Sequence, residues 1–358
     1  MTNRPLVALA ICTLLGLCAA QAPEPAAKPI DAKATGEAID AGIGWLLRHQ
    51  DEAGGWSASQ FQRHDPKTDL CTGTGKPDQD LPVTALATFA LLARGNTAQV
   101  GAHRGAVQKA LLWLETEMQA DGFVGAPEAG NAVVAHALSC CAFIASSLVL
   151  TGAKELSSEA KTSFARLATL RLPDGTWPAR LGERKGDPMA TCWASLACKS
   201  RAAFGAGMVD LEPTLLAMQK GELTAPSPPP VEAMLHWLAD HQPGTDARLV
   251  ELMDTLGRQS PQWRDGREAA RMNFLDWNVG IYMMVLAGGA ASDQWYAALQ
   301  QALVVHQRTD GAHAGSWDPV DANGKEGGRV YATSVNVLSL SLGHRLAPDV
   351  GRAGGVKK

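Results

Sequence analysis

Three segments of the 358-residue sequence place a charged residue four positions before a threonine. They are Asp80-Leu81-Pro82-Val83-Thr84, Asp187-Pro188-Met189-Ala190-Thr191 and Arg329-Val330-Tyr331-Ala332-Thr333. A carboxyl group crowded at the top of an apolar cavity stays protonated and can act as an acid. A carboxylate or hydroxyl just before an apolar run can equally cap a helix. Capping is the stronger reading for Asp80, Asp187, Thr84, Thr191 and Thr333, with Arg329 paired to one of the carboxylates. His136 holds the threonine place in a fourth segment, and on an apolar face it reads as a hydrogen-bonded core residue before it reads as a base. Asp69-Leu70-Cys71 has metal-ligand types, but such sets arise by chance and the segment reads as a loop. No metal site and no cofactor are expected.

The elements that carry these residues repeat. One is an amphipathic helix followed by a glycine-tryptophan turn, clearest in Gly42-Ile43-Gly44-Trp45-Leu46-Leu47-Arg48-His49-Gln50 with Gly54-Gly55-Trp56. Further copies end at Asp121-Gly122-Phe123, at Asp174-Gly175-Thr176-Trp177, and, after Gln307, at Gly315-Ser316-Trp317. The second element is a helix apolar almost all round, which demands burial on both sides. Thr84 to His136 is 52 positions, His136 to Thr191 is 55, and Gly280 to Thr333 is 53. The gap of 89 from Thr191 to Gly280 leaves room for one more copy, with a helix over Val231 to His241. About six outer–inner helical hairpins follow, an all-α fold closed as an α/α toroid.

The chain is 46% hydrophobic with a net charge of -4, enough for a substantial core. Lys and Arg are scattered, so no nucleic-acid partner is expected. Residues 1–20 read as an export signal: Arg4, an apolar run from Leu6 to Leu17, and Cys18-Ala19-Ala20 before cleavage. The product is exported, periplasmic or secreted; an uncleaved N-terminal anchor is the alternative, and Cys18 gives only a weak lipidation signal. Residues 21–34 read as a linker, 35–347 as the toroid domain and 348–358 as a disordered tail. No membrane span is expected in the mature chain, Ala132 to Leu150 being a buried helix. Of seven cysteines five lie beyond the signal, which leaves room for one disulfide. Arg63, His64, Asp65 and Lys67, and Pro226 to Pro230, read as solvated loops.

The pattern from Gly42 to Trp56 resembles the QW motif of squalene and oxidosqualene cyclases, with degenerate copies along nearly all of the mature chain. More closely, the chain resembles the secreted prenyltransferase/squalene-oxidase-repeat proteins of planctomycete-type bacteria. That resemblance rests on Trp45-Leu46 with Gln50, Cys71-Thr72-Gly73-Thr74-Gly75, Val83-Thr84-Ala85-Leu86-Ala87, Gly315-Ser316-Trp317-Asp318-Pro319 and Gly327-Gly328-Arg329-Val330-Tyr331-Ala332-Thr333. It implies a terpenoid cyclase/protein prenyltransferase-like toroid, with Trp45, Gln50, Gly54, Trp56, Trp177, Gln307 and Trp317 as structural braces. In the cyclases Gln caps the last carbonyls of one helix while Trp stacks on it. It carries no activity with it. The cyclase acid motif Asp-x-Asp-Asp-Thr-Ala survives here only as Asp80 and Thr84-Ala85, with Pro82 and Val83 in place of the middle carboxylates. The prenyltransferase zinc set lacks its histidine near Tyr331-Ala332-Thr333.

Two functions remain in view. A ring of apolar helices leaves a central cavity, which Trp193, Trp237 and Trp277 are candidates to line for an apolar ligand. The expected function is thus a non-catalytic binding or interaction module, its partner a lipid or isoprenoid, a glycan or a protein. The alternative is a divergent enzyme, terpenoid-processing or like the toroidal polysaccharide lyases. Its catalytic candidates are Asp80, His136, Asp187, Arg329 and Tyr331, of which His136, Arg329 and Tyr331 would have to converge on one mouth.

Overall fold

The computed structural model describes residues 27–148, 155–205, 207, 209–242 and 244–346, with side chains to 344. The expected signal and tail lie outside the described residues. Twelve helices alternate between two layers among them. The outer layer is α1 (Ala32–Arg48), α3 (Arg104–Thr116), α5 (Ser158–Thr169), α7 (Glu212–Gln219), α9 (Ala247–Arg258) and α11 (Gly289–Val304). The inner layer is α2 (Asp80–Ala93), α4 (Ala132–Leu148), α6 (Pro188–Ala202), α8 (Pro229–Leu238), α10 (Phe274–Ala287) and α12 (Gly324–Leu346). Each inner helix packs on the inner helix before and after it, and α12 packs on α2, so the layer closes. The fold is an α/α toroid of six hairpins, with no strand among the described residues.

The two layers follow from their residues. In α5, Ala160, Ser163, Phe164 and Leu167 form one buried stripe, the three-and-four spacing of an amphipathic helix. In α4 nearly every residue from Ala132 to Ser147 is buried, His136 and Ser139 included. Such a helix is stable only between neighbours, here α2, α6 and α5. The five cysteines among the described residues are buried free thiols.

Closure is made by contacts of very large sequence separation. Gln307 Nε2 donates to Ala38 O and Gly315 O, both at 2.8 Å, tying the end of α11 to α1. Gln300 donates through Nε2 to Thr35 Oγ1 at 2.8 Å and accepts from Ile30 N at 3.3 Å. The helix therefore begins at Ala32 with Asp31 as N-cap, ahead of the domain start expected at Thr35. The stretch read as linker is docked in part. At the other end of α1 the loop Gly73–Gly75 lies against Gly327 and Gly328. Gly328 has φ 64°, and a Cβ there would stand 2.4 Å from Gly75 N. Only glycine permits both the backbone angle and the approach.

Two loop expectations change. Pro229 and Pro230 open α8, and Pro230 is buried, because proline is favoured in a helix's first turn. Asp65 is not solvated: its side chain is 2% exposed and lies 2.8 Å from His49 Nε2.

Candidate functional site

In three hairpins the turn linking the outer helix to its inner helix recurs with the same hydrogen bonds. Trp56 Nε1 donates to Leu46 O at 2.7 Å, and its backbone N–H donates to Thr84 Oγ1 at 2.9 Å. Trp177 does the same with Leu167 O (2.9 Å) and Thr191 Oγ1 (3.0 Å). Trp317 repeats it with Leu303 O (2.7 Å) and Thr333 Oγ1 (3.3 Å). The indole, not the glutamine, satisfies the last carbonyls of the outer helix. Gln50 instead bridges Gly54 O at 2.8 Å and Ala106 O at 2.9 Å, reaching the next outer helix. This differs from the capping role the resemblance implied. The threonine hydroxyl, on the first turns of the inner helix, holds the tryptophan's backbone.

In the second repeat Val124 N donates to His136 Nδ1 at 3.0 Å, so Val124, not Phe123, stands at the tryptophan place. His136 stacks on Phe123 with ring centroids 4.7 Å apart. Burial pulls its pKa down to about 3, which keeps the imidazole neutral. Asp80 accepts from Ala58 N at 2.7 Å and Ser57 Oγ at 3.3 Å; burial nonetheless pushes its pKa up. Asp187 caps α6 through Met189 N and Ala190 N. Arg329, fully buried, donates to Thr72 O at 2.7 Å and Ser316 Oγ at 2.8 Å and pairs with Asp318, rather than with Asp80 or Asp187. Asp80, His136, Asp187 and Arg329 thus serve the turns. They do not converge on one mouth.

Tyr331 is different. With Pro82, Val83, Val134, Met189 and Trp193 it lines a cavity of about 430 Å³. These residues come from the N-terminal halves of α2, α4, α6 and α12, so those inner helices present the same ends to one opening. Lys76, Asp78, Arg180 and Glu326 add charged groups to its lining. Tyr331 Oη donates to Asp321 Oδ2 at 2.9 Å, and that oxygen also accepts from Phe274 N at 3.0 Å. Burial raises the pKa of Asp321, and lifts that of the Tyr331 phenol well above its ordinary value.

A second cavity, about 310 Å³, lies between the starts of α8 and α10 and contains Asp276, Trp277 and Trp295. Burial, reinforced by the negative charge of Asp321, brings Asp276 up to about 6. Its Oδ1 is buried without a hydrogen-bond partner. Trp193 therefore belongs to the central cavity and Trp277 to the second. Trp237 lies at the end of α8, with the Lys199 ammonium 5.9 Å from its ring centroid, and lines neither. The three tryptophans do not share one wall.

Sequence reasoning missed Asp276, Asp321 and two His-containing clusters. Asp276 was visible as the start of an inner helix, but nothing in the order of residues announced its burial. The first cluster joins His49, Asp65 and Cys71. His49 Nδ1 donates to Trp45 O at 2.7 Å, the ring stacks on Trp45, and Cys71 N donates to Asp65 Oδ2 at 2.8 Å. Burial pushes the Cys71 thiol up to about 12. The second joins His236, His241 and Asp246 at the opposite end of α8 from Pro229.

No family model matches the sequence, and no curated protein does. Solved structures do match in fold. The type II terpene cyclase MstE from Scytonema, in a substituted form without ligand, superposes with a TM-score of 0.62 at 16% identity. It covers 88% of this chain and 98% of its own. A second form of MstE, in complex with its substrate geranylgeranyl dihydroxybenzoate, gives 0.59 at 14% identity over 87% and 97%. A third, with its product merosterolic acid A, gives 0.61 at 16% over 88% and 98%. The chain has the α/α toroid fold of type II terpene cyclases.

Proposed function

We propose that this protein is an exported binding module of squalene-cyclase-like repeats that holds an apolar, isoprenoid-type ligand in the central cavity. The observation that carries this reading is the cavity itself. Its volume falls within the roughly 300–1,000 Å³ of small-molecule sites. Pro82, Val83, Val134, Met189 and Trp193 form its apolar wall, and Tyr331 with the charged groups of Lys76, Asp78, Arg180 and Glu326 makes up a polar part of its lining. Pro82 and Val83 stand where the cyclases carry carboxylates, so the opening favours a hydrocarbon over a reacting cation. That MstE binds a geranylgeranyl compound supports the ligand class. Export rests on Arg4 and the apolar run Leu6 to Leu17. No helix among the described residues is long and apolar enough to cross a membrane.

The test is quenching of tryptophan fluorescence by geranylgeraniol, compared between the native chain and Val83→Trp, which fills the cavity. Saturable binding weakened at least tenfold by the substitution supports the reading. Binding unaffected by V83W, or none at the solubility limit, sinks it. Asp276 favours a second reading, that of a divergent terpenoid-processing enzyme, because a carboxyl with a pKa of about 6 is an acid suited to neutral pH. Conversion of a polyprenyl substrate that disappears in Asp276→Asn would replace the first reading with this one.

A further inference from the structure

We infer that His236, His241 and Asp246 form a binding site for one divalent transition-metal ion of the zinc type, on the face of the ring away from both cavities. The three donor atoms lie within 4.8 Å of one another. His236 Nδ1 and His241 Nδ1 each stand 2.5 Å from the same oxygen, Asp246 Oδ2. Two imidazole nitrogens aimed at a single carboxylate oxygen is more than either histidine needs for its own satisfaction. Two nitrogens and one oxygen are a common zinc donor set, and four intervening residues is an ordinary spacing between two histidine ligands. A tetrahedral ion with bonds near 2.0–2.1 Å holds its ligand atoms about 3.3 Å apart. Lengthening the two N···O separations by about 0.8 Å would bring them to that spacing.

The surroundings are those of a metal ligand set. The far nitrogen of His241, Nε2, lies 2.7 Å from Glu212 Oε1. A carboxylate behind a ligating histidine fixes the ring and raises its basicity, which is how such ligands are usually oriented. The other oxygen of Asp246, Oδ1, accepts from Leu249 N at 3.0 Å as the N-cap of α9, so the carboxylate is held from behind as well. His236 rides on α8 and is almost fully buried, whereas the His241 side chain is 27% exposed. One side of the cluster is thus rigid and one is open to solvent, leaving a fourth position for water or a ligand. His236 is on an inner helix, His241 and Asp246 on the turn into the next outer helix, and Glu212 on α7. An ion here would cross-link α7, α8 and α9, whose turns carry none of the tryptophan latches seen elsewhere.

The site is independent of the cavity reading and is tested apart from it. The full mature chain is stripped with a chelator and titrated with zinc, then with cobalt, with Tm and absorbance as readouts. One equivalent of zinc bound, with a rise in Tm, is expected. His241→Gln should lose at least 100-fold in affinity, and Glu212→Gln about 10–100-fold, while Cys71→Ser is unchanged. The cobalt spectrum should lack a thiolate charge-transfer band. His241 is partly exposed, so H241Q should retain the metal-free Tm. Absence of stoichiometric binding, binding that survives H241Q, or a thiolate band that vanishes in C71S would overturn the assignment. The last result would move the ion to His49, Asp65 and Cys71.

Discussion

Two sectors of the ring hold themselves together differently. In the first, third and sixth hairpins a tryptophan is clamped at both ends, its indole N–H on the last turn of one helix and its backbone on a threonine of the next. In the fifth hairpin the corresponding place on the inner helix is Gly280, and the space is taken by Trp295 of the following outer helix. A Cβ on Gly280 would stand 2.8 Å from that ring, and the indole Nε1 of Trp295 is buried without a partner. The same sector contains the second cavity and the Asp276 carboxyl, whose Oδ1 has no hydrogen-bond partner. Each latched tryptophan has its indole and backbone N–H satisfied, whereas Asp276 Oδ1 and Trp295 Nε1 lie buried without a partner beside the second cavity. A buried polar atom left unpaired is costly, so this stretch of the ring is braced less completely than the latched turns.

The largest expected contrast is between two tryptophans. Trp56→Ala removes a fully buried ring and the indole end of a latch, and should destabilise by about 3–5 kcal/mol in denaturant titration. Trp277→Ala, half-buried beside the second cavity, should lose under about 2 kcal/mol. Equal losses would show that the sectors are braced alike. A finer cut is Thr84→Val, which leaves the buried Trp56 N–H without its acceptor at almost constant volume. It should destabilise by roughly 1–3 kcal/mol, and a loss near zero would mean that the indole alone makes the latch.

The irregular sector makes the opposite prediction. Asp276 titrates near 6 in the fold against 3.8 for the ordinary carboxyl. Between those values the folded state binds more protons than the unfolded one, so the contribution of this group falls as pH rises from about 4 to 6 and is lost above that. Asp276→Asn should therefore raise stability at pH 7–8 by roughly 1–3 kcal/mol and flatten that slope. Destabilisation by D276N at pH 8 would indicate a charge partner for the carboxylate. His136 tests the latched side with the reverse sign. Its pKa is lowered to about 3 from 6.5, so the unfolded chain binds the extra proton and stability is lost as pH falls below about 6.5, by up to about 1.4 kcal/mol per pH unit. His136→Thr, which restores the hydroxyl used in the other latches, should abolish that acid slope while changing stability at pH 7 least of the five.

Much of this was written in the order of residues. The period near 53 positions, the all-round apolarity of α4 and the tryptophan turns followed from local patterning. So did the helix-capping place of Asp187, because a side chain three positions from a free N–H needs nothing distant. What local order could not give was which groups meet across the ring. Trp193, Trp237 and Trp277 look alike on their helices, yet one lines the central cavity, one the second and one neither, because position along the helix axis decides that. Asp65 sits in a charged, loop-like run, but His49 and Cys71 fold over it. Asp276 reads as an ordinary helix-opening acid until Asp321, 45 residues on, is packed nearby and water is withdrawn. Composition and periodicity thus determined that the chain is a ring of six hairpins, since those depend on each helix's own faces. Burial, protonation and the convergence of His236, His241 and Asp246 depend on distances between helices, and only the closed toroid sets those.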